Sequence, residues 1–297
     1  MRVYRRPGMH HLASCGLVLI ILMMQPGKSG YAMLVKGKVA VIFGGRGAIG
    51  SAVAHTMARE GAHVYLGARN QDKLDRVAGE IRAAGGIAET FIIDVLDEQS
   101  MSAKTGDLAQ QVGGFDVVIN TTGFMHNQGK GIAELSLAEF RQGIDPFLTA
   151  QFNISKAVTP HMGGERAGVI ITVVAPAGTM AIPGHLGHIV GCAGIEAFVK
   201  ALACELAPRN IRVICVRSHA LIGAVQAGSY TGEVFAPKAQ AAGLTVEQWV
   251  GGAAQSTMLK RLPTLSQVAE LMTFLASAHA GAMTATVVNM TAGTTLD

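Results

Sequence analysis

Seven residues between a short apolar run and a helical pattern have the composition of a phosphate-binding loop. The string is Gly44-Gly45-Arg46-Gly47-Ala48-Ile49-Gly50. Glycine lets a backbone turn tightly and approach a pyrophosphate, and the N-terminus of the following helix offers free N–H groups and a partial positive charge. Because the string joins a predicted strand to a predicted helix, it predicts a dinucleotide site. The alternative is a tight turn that binds no ligand.

The end of the second predicted strand indicates which dinucleotide binds. A site selective for NAD places an acidic residue there, which bonds the ribose 2′-hydroxyl. This chain has Ala68 followed by Arg69, and an arginine accommodates the 2′-phosphate of NADP instead. Arg46 in the glycine loop adds a second cation. The pattern favours NADP(H) over NAD(H), the alternative being that Arg69 is a solvated surface residue.

The elements that must position these residues alternate regularly along the chain. Short apolar runs and amphipathic helical patterns follow one another from Lys38 onward, which implies right-handed crossovers and a parallel sheet. We predict an α/β fold: a single doubly wound Rossmann domain over residues 33–297, with a seven-stranded, mostly parallel sheet and helices on both faces. The predicted strands are 39–43, 62–66, 88–93, 116–119, 168–174, 211–216 and 286–290. The predicted helices are 48–60, 72–82, 100–112, 136–161, 187–207 and 264–278.

Residues 221–262 interrupt this alternation. The segment contains Trp249, the only tryptophan of the chain, and no recognisable motif. In folds of this kind an insertion at this place usually lies over the ligand cleft. Its apolar composition suggests a hydrophobic ligand.

Composition and charge exclude several classes of protein. The 297 residues are 49% hydrophobic and 15% charged, which suits a sheet covered on both faces and does not suit disorder. Four of the 24 basic residues and none of the 20 acidic ones precede Met33, so the remainder is balanced and carries no basic footprint for nucleic acid. The four cysteines have no zinc-like spacing and favour a reducing compartment.

Residues 1–32 resemble a leader. A basic start precedes an apolar run from Leu12 to Met24, which is the pattern of a secretory signal and is shorter than the roughly 20 residues that span a bilayer. The alternative, which we favour, is that Met33 is the true start and that the protein is cytoplasmic. A working signal would make it secreted or periplasmic, as an exported binding protein cleaved near Ala32.

Further motifs, in order along the chain, resemble those of the short-chain dehydrogenase/reductase family. Gly44 and Gly50 match the first and last glycines of its TGxxxGxG motif, and Phe43 stands where threonine is usual. Residues 94–95, 120–123 and 205–213 are similar to its adenine-contacting Asp-hydrophobic pair, its NNAG motif and its ELAPxxIRV segment. The resemblance spans about residues 36–297. It adds four expected cofactor contacts: Asp94, Val95, Asn120 and Gly123.

The resemblance also implies an activity and an assembly. Family members bind NAD(P)(H) and move a hydride to or from a carbonyl, an alcohol or a C=C bond. Their long helices, here around residues 136–162 and 188–207, form a tetramer face, so a homo-oligomer is expected. The expected partner is a small-molecule substrate, with no nucleic acid and no stable insertion of the domain in a membrane.

The catalytic positions of the family hold other residues in this chain. Family members use an asparagine, a serine, a tyrosine and a lysine. Aligning Ala193-Gly194 with the Ala-Gly that follows the family's YxxxK motif puts His188 at the tyrosine position and Cys192 at the lysine position. The serine position falls on Ala175 and the asparagine position on Phe147. The family's activity therefore does not transfer residue by residue.

Two interpretations of this altered site stay open. In the first, His188 is a general acid with an ordinary imidazole pKa of about 6.5, Cys192 shares its helix face one turn on, and Thr122 or Thr179 replaces the missing carbonyl-polarising group. In the second, the protein binds NADP(H) without catalysis, as a sensor or scaffold. A metal site formed by His185, His188 and His219 is disfavoured, because no carboxylate is nearby in sequence and the family site is metal-free.

Overall fold

The strands of the computed structural model, which describes residues 33–296, form one parallel sheet. Their order across the sheet is β3-β2-β1-β4-β5-β6-β7, and all six neighbouring pairs are parallel. The strands are β1 Val39–Phe43, β2 His63–Ala68, β3 Ile87–Ile92, β4 Val117–Asn120, β5 Gly168–Val174, β6 Ile211–Ser218 and β7 Thr286–Met290. This confirms the predicted seven-stranded Rossmann sheet.

The helices connect successive strands and cover both faces. They are α1 Ala48–Arg59, α2 Gln71–Ala83, α3 Glu98–Val112, α4 Leu137–Gln142, α5 Asp145–Val158, α6 Leu186–Leu206, α7 Ile222–Gln226, α8 Thr231–Ala241, α9 Val246–Gly252 and α10 Leu265–Ala276. No helix within residues 33–296 is both long and apolar enough to cross a bilayer. The predicted leader, residues 1–32, lies outside the described residues.

Strand residues alternate between two apolar cores, which is why the central strands are apolar throughout. Ile42 of β1 packs in the core that includes residues of α1, α2 and α10, whereas its neighbours Val41 and Phe43 pack in the core that includes residues of α3, α5 and α6. All five residues of β1 are buried. A strand that is buried on both faces needs a continuous apolar run, so the sheet follows directly from the sequence pattern.

The predicted helix over residues 136–161 is divided, and that prediction was wrong in this respect. Helix α4 ends before Gly143, and α5 begins at Asp145 with Pro146 in its first turn. A Cβ atom at Gly143 would lie 2.5 Å from the backbone nitrogen of His188, so this break allows the chain to contact the first turn of α6. The break is explained by the close packing of Gly143 against α6, a tertiary contact that the periodicity of the sequence does not indicate.

The carboxyl ends of the strands gather the segments that carry the predicted site. The order reverses between β1 and β4, since successive strands leave β1 on opposite sides. In doubly wound sheets ligands bind in the crevice outside this switch point. The glycine loop after β1 and the turn after β4 therefore lie at the same crevice.

Candidate active site and cofactor cleft

The glycine loop after β1 is packed closely against the end of β4. Gly44 has a positive φ of 80°, and its N–H donates to the Gly67 carbonyl at 2.9 Å. A Cβ atom at Gly50 would lie 2.7 Å from Thr121 Oγ1 and closer still to the Gly44 carbonyl oxygen. The sequence therefore needs glycine at both positions for loop and strand to meet.

The N-terminus of α1 at this loop has the features of an anion site. Gly47 is the N-cap residue, and no side chain caps the helix. Arg46 in the loop and Arg69 after β2 are exposed and form no hydrogen bond or ion pair with the residues that the structure describes. Ile49 is half-buried in the first turn. Free helix N–H groups and two unpaired guanidinium groups suit the phosphates of a dinucleotide.

Two further predicted contact segments are held in place from α5. The carboxylate of Asp94 accepts a hydrogen bond from Leu96 N at 3.0 Å, and the carbonyl of the buried Val95 accepts one from Asn153 Nδ2 at 3.0 Å. Asn120 is buried, and its Nδ2 donates to Gln151 Oε1 at 2.8 Å. Both segments are therefore fixed by buried amide side chains of one helix.

The two threonines considered as carbonyl-polarising groups are already engaged, which corrects that expectation. The hydroxyl of Thr122 donates to Asn120 Oδ1 at 2.7 Å. The hydroxyl of Thr179 donates to the Pro176 carbonyl at 3.1 Å. Each hydroxyl has one proton to donate, so neither threonine has one left for a substrate oxygen.

Tyr230, which precedes α8, covers the predicted cofactor contact Gly123. A Cβ atom at Gly123 would lie 2.5 Å from the Tyr230 hydroxyl oxygen, so the phenol ring lies directly against the glycine. Burial, with a smaller contribution from Cys192, raises the pKa of Tyr230 to about 12. No sequence signal pointed to this residue, because its segment has no periodic pattern. The Tyr230 ring therefore occupies the side of Gly123 on which a Cβ atom would lie.

The four residues that the family alignment singled out, His188, Cys192, Ala175 and Phe147, lie close together. Cys192 Sγ lies 3.6 Å from His188 Nε2 and also accepts from the backbone N–H of Ala175. The rings of Phe147 and His188 are 5.8 Å apart between centroids. The structure thus brings an imidazole, a thiol and an aromatic ring into one group of side chains.

His126, in the loop after β4, belongs to the same cluster and was missed by the sequence analysis. Its ring stacks on His188 with centroids 4.0 Å apart and an interplanar angle of 13°. Phe147 and Phe124 extend the cluster, with edge-on contacts at 5.2 Å to each other and 5.8 Å from Phe147 to His126. The only available signal was that His126 follows the NNAG-like segment by three residues, which does not specify a contact with α6.

A hydrogen-bond network joins this cluster to α8. Lys238 Nζ donates to His185 Nε2 at 2.7 Å and to Gln128 Oε1 at 2.9 Å. Gln128 Nε2 in turn donates to His126 Nε2 at 2.9 Å. The Nδ1–H groups of both histidines donate to backbone carbonyls of their own loops. With both imidazoles neutral, a donor faces an acceptor in each of these contacts. Gln128 Oε1 and His185 Nε2, which lie 3.1 Å apart, are then two acceptors that share the Lys238 ammonium.

Burial changes the expected ionisation of the two candidate catalytic residues. Desolvation, with smaller contributions from His126, His185 and Lys238, lowers the pKa of His188 to about 3. Desolvation raises the pKa of Cys192 to about 12. The expectation of an ordinary imidazole pKa was therefore wrong, and at neutral pH the pair is a neutral imidazole beside a protonated thiol.

The three histidines considered as metal ligands do not form one group. His219 accepts a hydrogen bond from the Ala220 N–H at 2.7 Å through its Nδ1, and His185 and His188 are engaged in the contacts above. Residues 33–296 contain no group of three potential ligands placed to hold a metal ion.

The neutral state of His188 predicts a loss of stability in acid. Because its folded-state pKa of about 3 lies below the ordinary 6.5, the unfolded chain takes up a proton first. The stabilisation is complete above pH 6.5 and decreases as the pH falls towards 3. We expect His188 alone to lower the free energy of unfolding by about 2 kcal/mol between pH 7 and pH 5. Urea unfolding at pH 7 and pH 5 measures this difference in the free energy of unfolding. A difference of the same size in the His188→Phe variant would contradict the prediction.

Most of this chain is similar in sequence to known dehydrogenases. A model of the short chain dehydrogenase family matches residues 38–227. The 2,3-dihydro-2,3-dihydroxybenzoate dehydrogenase of Bacillus subtilis is 30% identical over 254 residues, which are 84% of this chain and 93% of that protein. The 2,5-dichloro-2,5-cyclohexadiene-1,4-diol dehydrogenase of Sphingobium indicum is 33% identical over 177 residues, 60% of this chain and 70% of that protein.

A solved structure shows the same architecture. L-sorbose reductase from Gluconobacter frateurii, complexed with NADPH and L-sorbose, superposes with a TM-score of 0.78 at 24% identity, covering 90% of this chain and all of that one. The family match spans the glycine loop, the cluster around His188 and the first residues of the segment 221–262. The chain therefore belongs to the short-chain dehydrogenase/reductase family of oxidoreductases.

Proposed function

We propose that the protein is an NADP(H)-dependent oxidoreductase that acts on a carbonyl or alcohol, or on an enone, of an apolar ring compound. The observation that carries this proposal is the position of two features at one edge of the sheet. An uncapped helix N-terminus with unpaired arginines lies at one side of the crevice. A buried imidazole cluster lies at the other. A cofactor and a substrate would meet between them.

The residues proposed to hold the cofactor follow the crevice. Glycine backbone and the N-terminus of α1 would hold the pyrophosphate, and the asparagine and glycine after β4 would line the nicotinamide side. Arg46 and Arg69 would bind the 2′-phosphate, since Ala68 leaves no acidic residue for a ribose hydroxyl. The proposed contacts are Gly44, Arg46, Gly47, Ile49, Gly50, Arg69, Asp94, Val95, Asn120 and Gly123. A bound nicotinamide would supply or accept the hydride.

His188 is proposed as a neutral hydrogen-bond donor to the substrate oxygen. A neutral imidazole carries one N–H, which can polarise a carbonyl without a prior protonation step. The low pKa of His188 supports this role and does not support a charged general acid. Cys192 would support the imidazole through its thiol contact at 3.6 Å, and its raised pKa keeps it protonated at neutral pH.

The walls of the site favour a flat or cyclic substrate. Phe124, Phe147, His126 and His188 form a continuous aromatic surface with successive ring centroids 4.0–5.8 Å apart. Aromatic surfaces of this kind pack against rings and other apolar groups. Both curated relatives named above are, by their names, dehydrogenases of hydroxylated six-membered rings. The proposal for this chain is a ring alcohol or the corresponding ketone.

We also propose a homo-oligomer and a cytoplasmic location. Phe152 on α5 and Val190 on α6 expose large apolar side chains on the helices that the family uses for assembly. Sedimentation of the protein that begins at Met33 would measure the oligomeric state.

His188→Phe tests the catalytic part of the proposal. Phenylalanine fills a similar space beside Phe147 but has no hydrogen-bond donor, so we expect NADPH oxidation with cyclic ketones to fall by about 100-fold. NADPH affinity, measured by calorimetry, should change by less than about twofold. His161→Phe is the control, because His161 lies against Phe115 at the opposite edge of the sheet.

Three outcomes would contradict parts of this proposal. Unchanged turnover in His188→Phe would remove the imidazole from the mechanism. An equal loss of NADPH affinity would assign His188 to binding. Tight NADPH binding by the unaltered protein, without turnover of any cyclic ketone or enone, would favour a non-catalytic binding protein.

A further inference from the structure

Lys238 is a half-buried cation for which the described part of the chain supplies no counter-charge. Its ammonium donates to the amide oxygen of Gln128 and to His185 Nε2, both neutral groups. None of the ion pairs formed among residues 33–296 includes it. Burial lowers the pKa of Lys238, which shows that the charge is held at a cost. An ammonium group has three protons, and two of them are used.

The field of this charge reaches the candidate reaction centre. Lys238 Nζ lies 2.7 Å from His185 Nε2, and its charge lowers the pKa of His185, His126 and His188. Lys130 in the loop after β4 differs from Lys238 in having a counter-charge, because its Nζ is paired with Glu139 Oε1 at 2.5 Å. The described residues around the aromatic cluster thus carry one uncompensated positive charge.

We propose that Lys238 binds a carboxylate on the substrate, so that the substrate class is an aryl or alicyclic carboxylic acid with a ring carbonyl or alcohol. The inference rests on the proposed function, since it assigns a substrate group to the same cleft. The substrate ring would pack beside the aromatic side chains around His188, and Lys238 would receive the acid group at the end of the Gln128–His185 network. Bringing an anion to a partly desolvated ammonium supplies affinity, because the charge is already held away from water.

The arrangement also selects against uncharged substrates. A neutral ligand of the same shape leaves the ammonium without a counter-charge and displaces part of its water. Sites with buried charged groups reject analogues that lack the complementary group for this reason. Lys238 would therefore determine specificity, while His188 would act on the reacting oxygen.

The experiment compares binding of benzoate and of benzamide by calorimetry, with NADPH titrated into the same preparations. The unaltered protein should bind benzoate at least tenfold more tightly than benzamide. The Lys238→Met substitution should weaken the binding of benzoate by tenfold or more and leave the affinity for benzamide unchanged. Lys130→Met, which removes a lysine already paired with Glu139, should change neither.

The outcomes separate this inference from the proposed function. Equal loss of benzoate and benzamide in Lys238→Met would mean that the lysine only fastens α8, and absence of benzoate binding in the unaltered protein would overturn the inference directly. Either result beside normal NADPH binding leaves the cofactor proposal intact. Benzoate binding without NADPH binding would support the carboxylate site and contradict the oxidoreductase proposal.

Discussion

Replacing Gly50 with alanine is expected to abolish NADPH binding and to lower the free energy of unfolding by about 2–3 kcal/mol. The new methyl group would collide with the Gly44 carbonyl oxygen and would lie 2.7 Å from Thr121 Oγ1. The first of these neighbours is a backbone atom. The second is a hydroxyl that already donates a hydrogen bond to the Phe43 carbonyl at 2.9 Å. Relief requires the glycine loop to move away from β4, which would also disperse the N–H groups proposed to hold the pyrophosphate.

Gly79→Ala is the matched control for this substitution. Gly79 lies within α2, and a Cβ atom there would meet no atom within 4 Å. Alanine is favoured over glycine in a helix interior, so this variant should gain about 0.5–1 kcal/mol and bind NADPH normally. Urea unfolding and calorimetry measure both quantities. A Gly50→Ala protein as stable as the unaltered one would show that loop and strand can separate without cost.

Removing both arginines at the crevice should abolish the preference for NADPH over NADH. Hydrogen bonds to charged groups contribute about 1.5–3 kcal/mol, so Arg46→Ala with Arg69→Ala should weaken NADPH binding by about 10- to 100-fold. NADH lacks the 2′-phosphate and should bind both proteins equally. Titration of each variant with each cofactor measures the ratio directly.

The control for the arginine pair is Arg59→Ala. Arg59 lies at the other end of α1 and faces Glu60 at 3.7 Å, so it shares the helix but not the crevice. Its loss should leave both affinities unchanged. If the double variant weakened NADPH and NADH to the same degree, the arginines would act on the common phosphates, and the assignment of the 2′-phosphate would be wrong.

The fold could be predicted from the sequence because its signals are local. Strand β1 is a five-residue apolar run followed by glycines, and α1 repeats apolar residues at helical spacing, so each element is specified by its own residues. The break at Gly143 could not be predicted in the same way. It exists because the chain passes close to Gly187 and His188, which are more than forty residues away.

The same distinction between local and tertiary signals applies to the residues of the candidate site. His188 and Cys192 were found because a motif fixes their place on α6, and the structure brings them together with Phe147. His126 and Lys238 were missed because loop and segment residues reach the cluster only through tertiary contacts. The pKa of His188 was mispredicted for the same reason, since burial by other elements determines it.

The two ends of helix α8 lie beside different proposed ligand sites, one for the cofactor and one for the substrate. Tyr230 at its start covers Gly123 on the cofactor side, and Lys238 near its end joins the network on the substrate side. A ligand that moved one end of this helix would change the free energy of contacts at the other end, which would couple the two proposed binding equilibria. By linkage, the factor by which NADPH changes the affinity for a carboxylate equals the factor by which the carboxylate changes the affinity for NADPH.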